Sequence, residues 1–289
     1  MFPLLTAAVG LAFVGALAAL AVQVQWALFR SFDLAIAAAI TLAAELTCAL
    51  SLIGHKWGIF GLLGSCIVTA LVNSALFRLW NDQLMRRERH GVAVSRLLLV
   101  ASLCLSTFVS GAVVLFRGPG TRSQAWSDVG ILVPSWGVCT AAAMVTVLSC
   151  GLLVGAVRFG GESQIAWKFR LWSQNAEFAE ELGVDRNSLS MFAACAVGVA
   201  TAIVGCWIAT ANGSSPDVGF SYFLTGAGGA LLFGRPKPGA SILGGAILGV
   251  FAFTLQLVVA PSMASLVMFL VVAVLLLLRG SSRDSEELR

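Results

Sequence analysis

Few side chains of this sequence could take part in chemistry, and the most informative is an acid in apolar surroundings. Glu45 lies inside the apolar run 34–53, and Asp33 lies at its edge. A charge in the middle of a bilayer is costly, so an ionisable residue there indicates function by default. Glu45 could meet an amino group of a solute, or it could be a hydrogen-bonded carboxyl packed between helices. Asp33 is expected to cap the helix that follows it.

The remaining reactive residue types form no recognisable catalytic or metal-binding pattern. The seven cysteines are an odd number without CxxC or zinc spacing, which favours buried free thiols. His55 and His90 lie in loops without a nearby Cys or Asp cluster, and no Ser/His/Asp or paired-carboxylate arrangement is present. The sequence therefore predicts no catalytic residue, no metal site and no directly bound cofactor.

The composition of the chain indicates the kind of protein in which these residues are held. Of the 289 residues, 58% are hydrophobic and 11% charged, with a mean hydropathy of +0.92. Soluble domains average about 25% charged residues, so this chain has too few to cover a water-facing surface. The basic residues form no continuous stripe, which argues against nucleic-acid binding. The whole chain, 1–289, is expected to be one membrane domain.

The apolar runs predict an all-α integral membrane protein, a polytopic helical bundle of about eight or nine transmembrane segments. The expected segments are 3–29, 34–53, 57–80, 97–116, 132–157, 190–211, 220–234, 240–259 and 263–279. Segment 220–234 contains Thr225 and Gly228 and is short for a spanning helix. Its glycines indicate a broken or tightly packed segment. We expect it to be the most irregular part of the chain, surrounded by protein or by a water-filled cavity.

Two glycine pairs predict close helix packing. Gly151 with Gly155, and Gly245 with Gly249, have the small-xxx-small spacing that lets two helices approach closely. Packing is the simpler explanation of both pairs, and neither requires a ligand.

The distribution of basic residues predicts the orientation. With the N-terminus outside and nine crossings, only Lys56, Arg117 and Arg122 of the 18 basic residues lie outside. Cytoplasmic loops carry the excess of Lys and Arg, so this asymmetry favours an outside N-terminus and a cytoplasmic C-terminus. On the cytoplasmic side, segments 80–96 and 158–189 are the hydrophilic stretches long enough to carry a function.

The second of these stretches contains a predicted docking helix. Ser173 or Asn175 could cap a short helix over 176–182, and Gly183 follows where a helix end favours a left-handed residue. Phe178 and Leu182 are four residues apart and would form an apolar stripe. The acids beside this stripe are Glu177, Glu180 and Glu181. A solvated amphipathic connector is the alternative explanation.

This stretch also carries a family resemblance. The run Gln174–Val184 resembles the cytoplasmic coupling segment of ATP-binding cassette (ABC) importer permeases of the branched-chain amino acid type, although Ala176 stands where proline is usual. The glycine-rich run 234–250 and the Phe32-Asp33-Leu34-Ala35 sequence are similar to other parts of that family in the same order. The resemblance covers most of the chain.

The resemblance implies a transport subunit of an importer in a bacterial cytoplasmic (inner) membrane. Its expected partners are two ABC ATPase subunits, a second permease (a paralogue or a second copy) and an extracytoplasmic solute-binding protein. ATP and magnesium would be used by the ATPases, which agrees with the lack of a phosphate-binding loop in this sequence. The ATPase-coupling residues would be Ser173, Asn175, Glu177, Phe178, Glu180, Glu181, Leu182 and Gly183. The translocation pathway would include Asp33, Glu45, Thr225 and Gly228.

Other functions stay open at this point. The related sugar and nucleoside permeases share a similar coupling pattern, so the solute could be an amino acid or a nucleoside, sugar or urea-type molecule. A secondary transporter or channel would work without an ATPase, but it would need several buried ionisable groups, and the chain offers little beyond Glu45. An intramembrane enzyme lacks any recognisable constellation of catalytic residues.

Overall fold

The computed structural model describes residues 2–29, 31–54, 57–88, 94–121, 140–232, 238–259, 263, 266–275 and 277. These residues are almost entirely α-helical. In chain order, the helices are α1 (Phe2–Phe29), α2 (Ala35–Gly54), α3 (Gly58–Glu88), α4 (Val94–Arg117), α5 (Thr140–Glu162), α6 (Gln164–Gln174), α7 (Ala176–Glu181), α8 (Arg186–Ala211), α9 (Val218–Leu232), α10 (Pro238–Val258) and α11 (Leu266–Leu275).

Six of the described helices, α1–α4, α8 and α10, are long and apolar enough to cross a membrane. Three further apolar helices are shorter: Ala142–Val157 within α5, then α9 and α11. The nine apolar segments expected from the sequence therefore all contain helix, but only six have the length of a full span. The all-helical fold is confirmed, and the six long apolar helices suggest a multi-pass membrane protein, whereas the exact number of crossings and the orientation stay predictions.

α1 and α8 form the centre of the bundle. α1 packs against α8, α9 and α10, whereas α8 packs against α1, α2 and α3. In the most apolar stretch of α8, 67% of the residues are buried, compared with 11% for α4. α4 contacts mainly α2 and touches α3 only slightly, so it lies at the periphery and exposes most of its apolar surface.

The helices α1, α9 and α10 meet along a contact that we call the glycine seam, formed by Gly15, Gly226, Gly229, Gly244 and Gly245. An added Cβ at Gly229 would lie 2.5 Å from the Cα of Gly245, and one at Gly226 would lie 2.7 Å from the backbone of Ala18. No side chain fits at these positions, because the helix backbones are in direct contact.

The glycine seam decides between the two alternatives expected for segment 220–234. A broken helix is wrong, because α9 is continuous over Val218–Leu232, and tight packing is confirmed. Its glycines serve close packing against α1 and α10 rather than a break in the helix. The predicted packing of Gly245 and Gly249 is confirmed, whereas Gly151 and Gly155 have no heavy atom within 4 Å of an added Cβ among the described residues.

Other features differ from the sequence expectations only in detail. α3 continues through Glu88, so it extends into the hydrophilic stretch 80–96. The hydrophilic stretch 158–189 contains the end of α5, at Glu162, and the short helices α6 and α7. Cys48, Cys66 and Cys206 are buried as expected, whereas Cys150 is half-buried and Cys104 and Cys195 are exposed; Cys139 lies outside the described residues. The expectation of buried cysteines is therefore wrong for Cys104 and Cys195.

Candidate functional site: a docking helix and a polar cavity

A short helix, α7, is fixed by caps at both of its ends. Asn175 breaks the helical course after α6 with an extended backbone, and its Oδ1 accepts a hydrogen bond from the N–H of Phe178 at 3.2 Å. Asn175 is thus the N-cap residue, because the Ser173 hydroxyl instead donates to the Arg170 carbonyl within α6. Glu177 lies in the first turn, where its negative charge suits the helix dipole.

The end of α7 turns the chain directly into α8. Gly183 has a φ of +78°, the left-handed conformation expected at this position. The N–H of Val184 donates to the carbonyl of Ala179 at 3.0 Å, which closes the turn. Asp185 then caps α8, since its carboxylate accepts from the N–H groups of Asn187 and Ser188, each at 3.1 Å. No flexible connection therefore separates the docking helix from α8.

One face of α7 is anchored to the membrane domain. Ala179 and Val184 are buried in a small apolar cluster with Leu28 of α1, Trp172 of α6 and Leu189 of α8. The Trp172 indole donates to the Leu28 carbonyl at 3.4 Å, which joins α6 to the end of α1. A movement of α7 would consequently carry the ends of α1 and α8 with it.

The opposite face of α7 is open. Phe178 is 49% exposed and Leu182 is 52% exposed, and Glu177, Glu180 and Glu181 are exposed beside them. Exposed aromatic residues with charged neighbours are typical of a protein-binding surface. The structure therefore presents an apolar and acidic docking face on a rigid support.

A polar cavity of about 280 Å³ lies at the other end of α8, between α1, α9, α10 and α11. α8 has 26 residues, so its two ends are about 39 Å apart. Apolar atoms form the larger part of its wall, and the lining residues whose side chains can form hydrogen bonds are Asn212, Ser215, Asp217, Ser221, Tyr222, Thr225 and Gln256. Leu11, Val218, Gly249, Ala252 and Met268 complete its lining.

The charge of this lining favours particular solutes. Asp217 is the one charged side chain among the described lining residues, and it is exposed. The amide of Asn212 donates to the Tyr222 hydroxyl at 3.2 Å, which fixes two of the polar groups relative to each other. A small solute with hydroxyl, amide or ammonium groups would find both donors and acceptors here.

Glu45 supports the loop that borders this cavity. The Arg117 guanidinium donates to the Glu45 carboxylate, and so does the Ser214 hydroxyl. The side chains of Glu45 and Arg117 are only 12% and 14% exposed. Ser110 of α4 also donates to the Pro216 carbonyl at 3.0 Å. Glu45 thus joins α2, α4 and the α8–α9 loop, and it does not itself line the cavity.

Asp33 lies in a second buried polar cluster, at the turn between α1 and α2. Its Oδ1 accepts from the N–H of Ala35 at 2.9 Å, which confirms the expected helix cap. Its Oδ2 accepts from the amide of Gln25 and from the indole of Trp80, both at 2.9 Å. Burial is the largest influence on this carboxyl group and raises its pKa from 3.8 to about 6, although these hydrogen bonds oppose the shift.

The structure therefore separates the four residues proposed for the pathway. Thr225 lines the cavity, whereas Gly228, about one turn further along α9, faces Leu248 and Val272. Asp33 lies just before α2 and Glu45 lies near the middle of α2, and both side chains join this helix to other elements.

Most of the residues that line the cavity could not be identified from the sequence. Tyr222 is the one tyrosine of the chain, and Gln256 interrupts an apolar run, so these two carried a signal. Asn212, Ser215 and Asp217 lie in a loop of ordinary composition, and only the packing of α1, α9 and α10 brings them to one cavity.

Among the described residues, no group of three or more His, Cys, Asp or Glu side chains could hold a metal ion. Comparison of the chain with sequence models of known protein families and with characterised proteins finds no match.

Proposed function

We propose that this protein is the transmembrane permease subunit of an ABC importer, which binds separate ATPase subunits through α7. The observation that carries the proposal is the docking face of α7, which leaves Phe178 and Leu182 half-exposed on a helix that is capped at both ends. A connector without a partner would gain nothing from exposing these apolar side chains. The motif resemblance of Gln174–Val184 supports the same conclusion.

The structural basis of coupling is the continuity from α7 to the cavity. The chain continues from α7 through Gly183 and the Asp185 cap into α8. Asn212, the residue that follows α8, lines the cavity. Closure of the ATPases would push α7, and α8 would transmit that movement over about 39 Å as a rigid rod. The cavity would then change the side of the membrane to which it opens.

The lining of the cavity also indicates the chemical class of the transported solute. Its lining of hydroxyl and amide groups with Asp217 suits a small polar solute that carries an amino group, such as an amino acid. In this proposal a solute-binding protein delivers the solute to the end of the bundle that contains the α8–α9 loop. A second permease, identical or related, would complete the translocation path.

The first test is co-purification with the ATPases encoded by the same cell. In Glu177→Lys with Glu180→Lys, two charges of the docking face are reversed while the buried Ala179 is unchanged. We expect this variant to reach the membrane in normal amounts, to lose the ATPase subunits on purification, and to lose ATP-driven uptake. Phe178→Ala should weaken the same interaction, because truncation of a central aromatic residue in an interface commonly costs 2 kcal/mol or more, roughly thirtyfold in affinity.

Asp82→Lys provides the matched control, since Asp82 is an exposed acid on α3 away from the docking face. It should retain both the ATPases and the uptake. Normal ATP-driven uptake by the double glutamate variant would remove the basis for the proposal. Uptake by the purified chain alone in ATP-free liposomes would instead indicate a secondary transporter.

A further inference from the structure

α2, α3 and α4 enclose a second concavity, an apolar groove of about 400 Å³. Its floor consists of Ala35, Ala38 and Ala39 of α2, whose small side chains leave the space open. Phe77 and Trp80 of α3 form one wall. Leu105 and Phe108 of α4 form the other wall.

The groove is continuous with the lipid-facing surface of the bundle. All three helices that form it are long enough to span a membrane, so its lining lies at membrane depth. At its edges, Leu79 is 64% exposed and Phe108 is 73% exposed, on helices that have few contacts with each other. If an apolar space of this size contained no atoms, the side chains of its walls would lose favourable dispersion contacts. Lipid chains are the apolar groups available at this depth.

The dimensions of the groove favour an acyl chain over a helix. A helix is at least about 10 Å across with a pitch of about 5.4 Å, so one turn alone fills about 420 Å³. The groove would hold about one turn of a neighbouring helix, which is far less than a spanning segment. A thin and flexible hydrocarbon chain matches both the volume and the purely apolar lining.

Charge near one end of the groove favours an anionic headgroup. The groove lining on α3 ends at Gln83, and the sequence continues with Arg86 and Arg87 in the next turn of the same helix. Arg78 and Asp82 are paired with each other at 4.0 Å and contribute no net charge. Basic residues at the boundary of a membrane attract anionic phospholipids by about 1 kcal/mol each.

We propose that this groove binds one acyl chain of an anionic phospholipid, from the membrane leaflet that contains the α1–α2 turn. The bound chain packs against the ring of Trp80, whose indole N–H donates to Asp33 at 2.9 Å. The lipid therefore supports the side chain that fixes the α1–α2 turn to α3. This inference needs only a membrane-spanning bundle and does not depend on the transport function.

The test uses the purified full chain in phosphatidylcholine vesicles, with a trace of phosphatidylglycerol that carries a photoreactive diazirine in its acyl chain. After irradiation and digestion, mass spectrometry locates the attached lipid. We expect labelling to concentrate on the groove walls, around Phe77 and Leu105, and to fall when unlabelled phosphatidylglycerol is added in excess.

Two variants fill the groove by different routes, Ala38→Phe on the floor and Leu105→Trp in the wall. Each should reduce this labelling severalfold, so a folding defect in one leaves the other informative. Leu52→Phe is the matched control, because Leu52 lies on the same helix as Ala38 and is 70% exposed to the membrane. It should leave the labelling of the groove unchanged.

Three results would overturn the inference. The first is labelling spread evenly over the exposed faces of α3 and α4 without competition, which would mean ordinary lipid contact. The second is unchanged groove labelling in both filling variants. The third is cross-linking of the groove to a second copy of the chain, which would mean that a protein helix occupies it. Two further results would overturn the preference for an anionic headgroup. One is equal labelling of the groove by a phosphatidylcholine probe, and the other is unchanged labelling in Arg86→Gln with Arg87→Gln.

Discussion

The glycine seam and the corner formed by α2, α3 and α4 join helices in opposite ways. In the seam, α1, α9 and α10 approach until backbone meets backbone, with Gly245 beside Gly15. In the corner, α3 and α4 hardly touch, an apolar groove lies between them, and a few polar side chains join the helices. The seam gains its stability from close packing over many atoms, whereas the corner depends on a few hydrogen-bonded groups.

This difference indicates where the bundle is rigid and where it can adapt. A backbone contact has no alternative arrangement, so α1, α9 and α10 should move as one unit beside the polar cavity. The corner can open or close around a lipid chain, because its polar contacts lie on either side of the groove floor, at Asp33 before Ala35 and at Glu45 beyond Leu42. The predictions below test these two modes of association, from the largest expected effect to the smallest.

The largest effect is expected for Gly245→Leu in the seam. An added Cβ at this position would lie 2.6 Å from the Cβ of Ala19 and against the carbonyl oxygen of Gly15. Because backbone atoms cannot rotate away, the cost should exceed the usual overpacking range of about 1–3 kcal/mol. We expect little monodisperse protein on size-exclusion chromatography in mild detergent.

Gly151→Leu is its control, since Gly151 has open space around it in the part of the chain that the structure describes. This variant should fold normally and gain slightly in helix propensity. Equal yields of the two variants would show that the seam tolerates a side chain, and the contrast with the corner would disappear.

The second prediction concerns the pH dependence that Asp33 gives to the corner. The folded state holds the proton more tightly than the unfolded state, because the pKa of Asp33 is raised from 3.8 to about 6. This contribution to stability is fully present below pH 3.8 and is lost as the pH rises to about 6. A pKa shift of about two units corresponds to roughly 3 kcal/mol.

The measurement compares thermal unfolding in detergent for the wild type and Asp33→Asn across this pH range. The difference between the two proteins should change with pH up to about 6 and stay constant above it. A constant difference for Asp33→Asn would mean that the carboxyl group is ionised throughout.

The smallest effect is expected near the middle of α2, in the ion pair between Glu45 and Arg117. A double-mutant cycle with Glu45→Gln and Arg117→Gln should give a coupling energy of about 1 kcal/mol in thermal or denaturant unfolding. The pair is only slightly exposed, so the coupling should exceed that of a surface pair such as Arg78 with Asp82. A coupling energy no larger than that of Arg78 with Asp82 would mean that the Glu45–Arg117 ion pair does not stabilise the corner.

Several features of the fold could be predicted because they depend on local sequence. Apolar runs of about 20 residues indicate membrane helices wherever they occur. The helix end at Gly183 and the cap at Asp33 follow from residue types whose backbone and side-chain preferences act over a few positions. For this reason the docking helix was predicted almost to the residue, at 176–182 against the observed Ala176–Glu181.

The role of Glu45 could not be predicted in the same way. Its partner Arg117 is 72 positions away in the chain, and no local pattern indicates that these two side chains form an ion pair. Without that partner, a buried acid indicates a solute-binding group as readily as a structural one. The tertiary structure assigns it to the support of the α8–α9 loop.

By itself, the sequence determined that the chain is all-helical with apolar helices of membrane-spanning length, where these helices run, and that a short capped helix precedes α8. Only the tertiary structure decided which glycines touch another backbone, which acids are paired, and which polar residues share the cavity. The physical reason is the range of the interactions. Hydrophobic length and helix caps act within one or two turns, whereas packing and ion pairs depend on how distant helices cross.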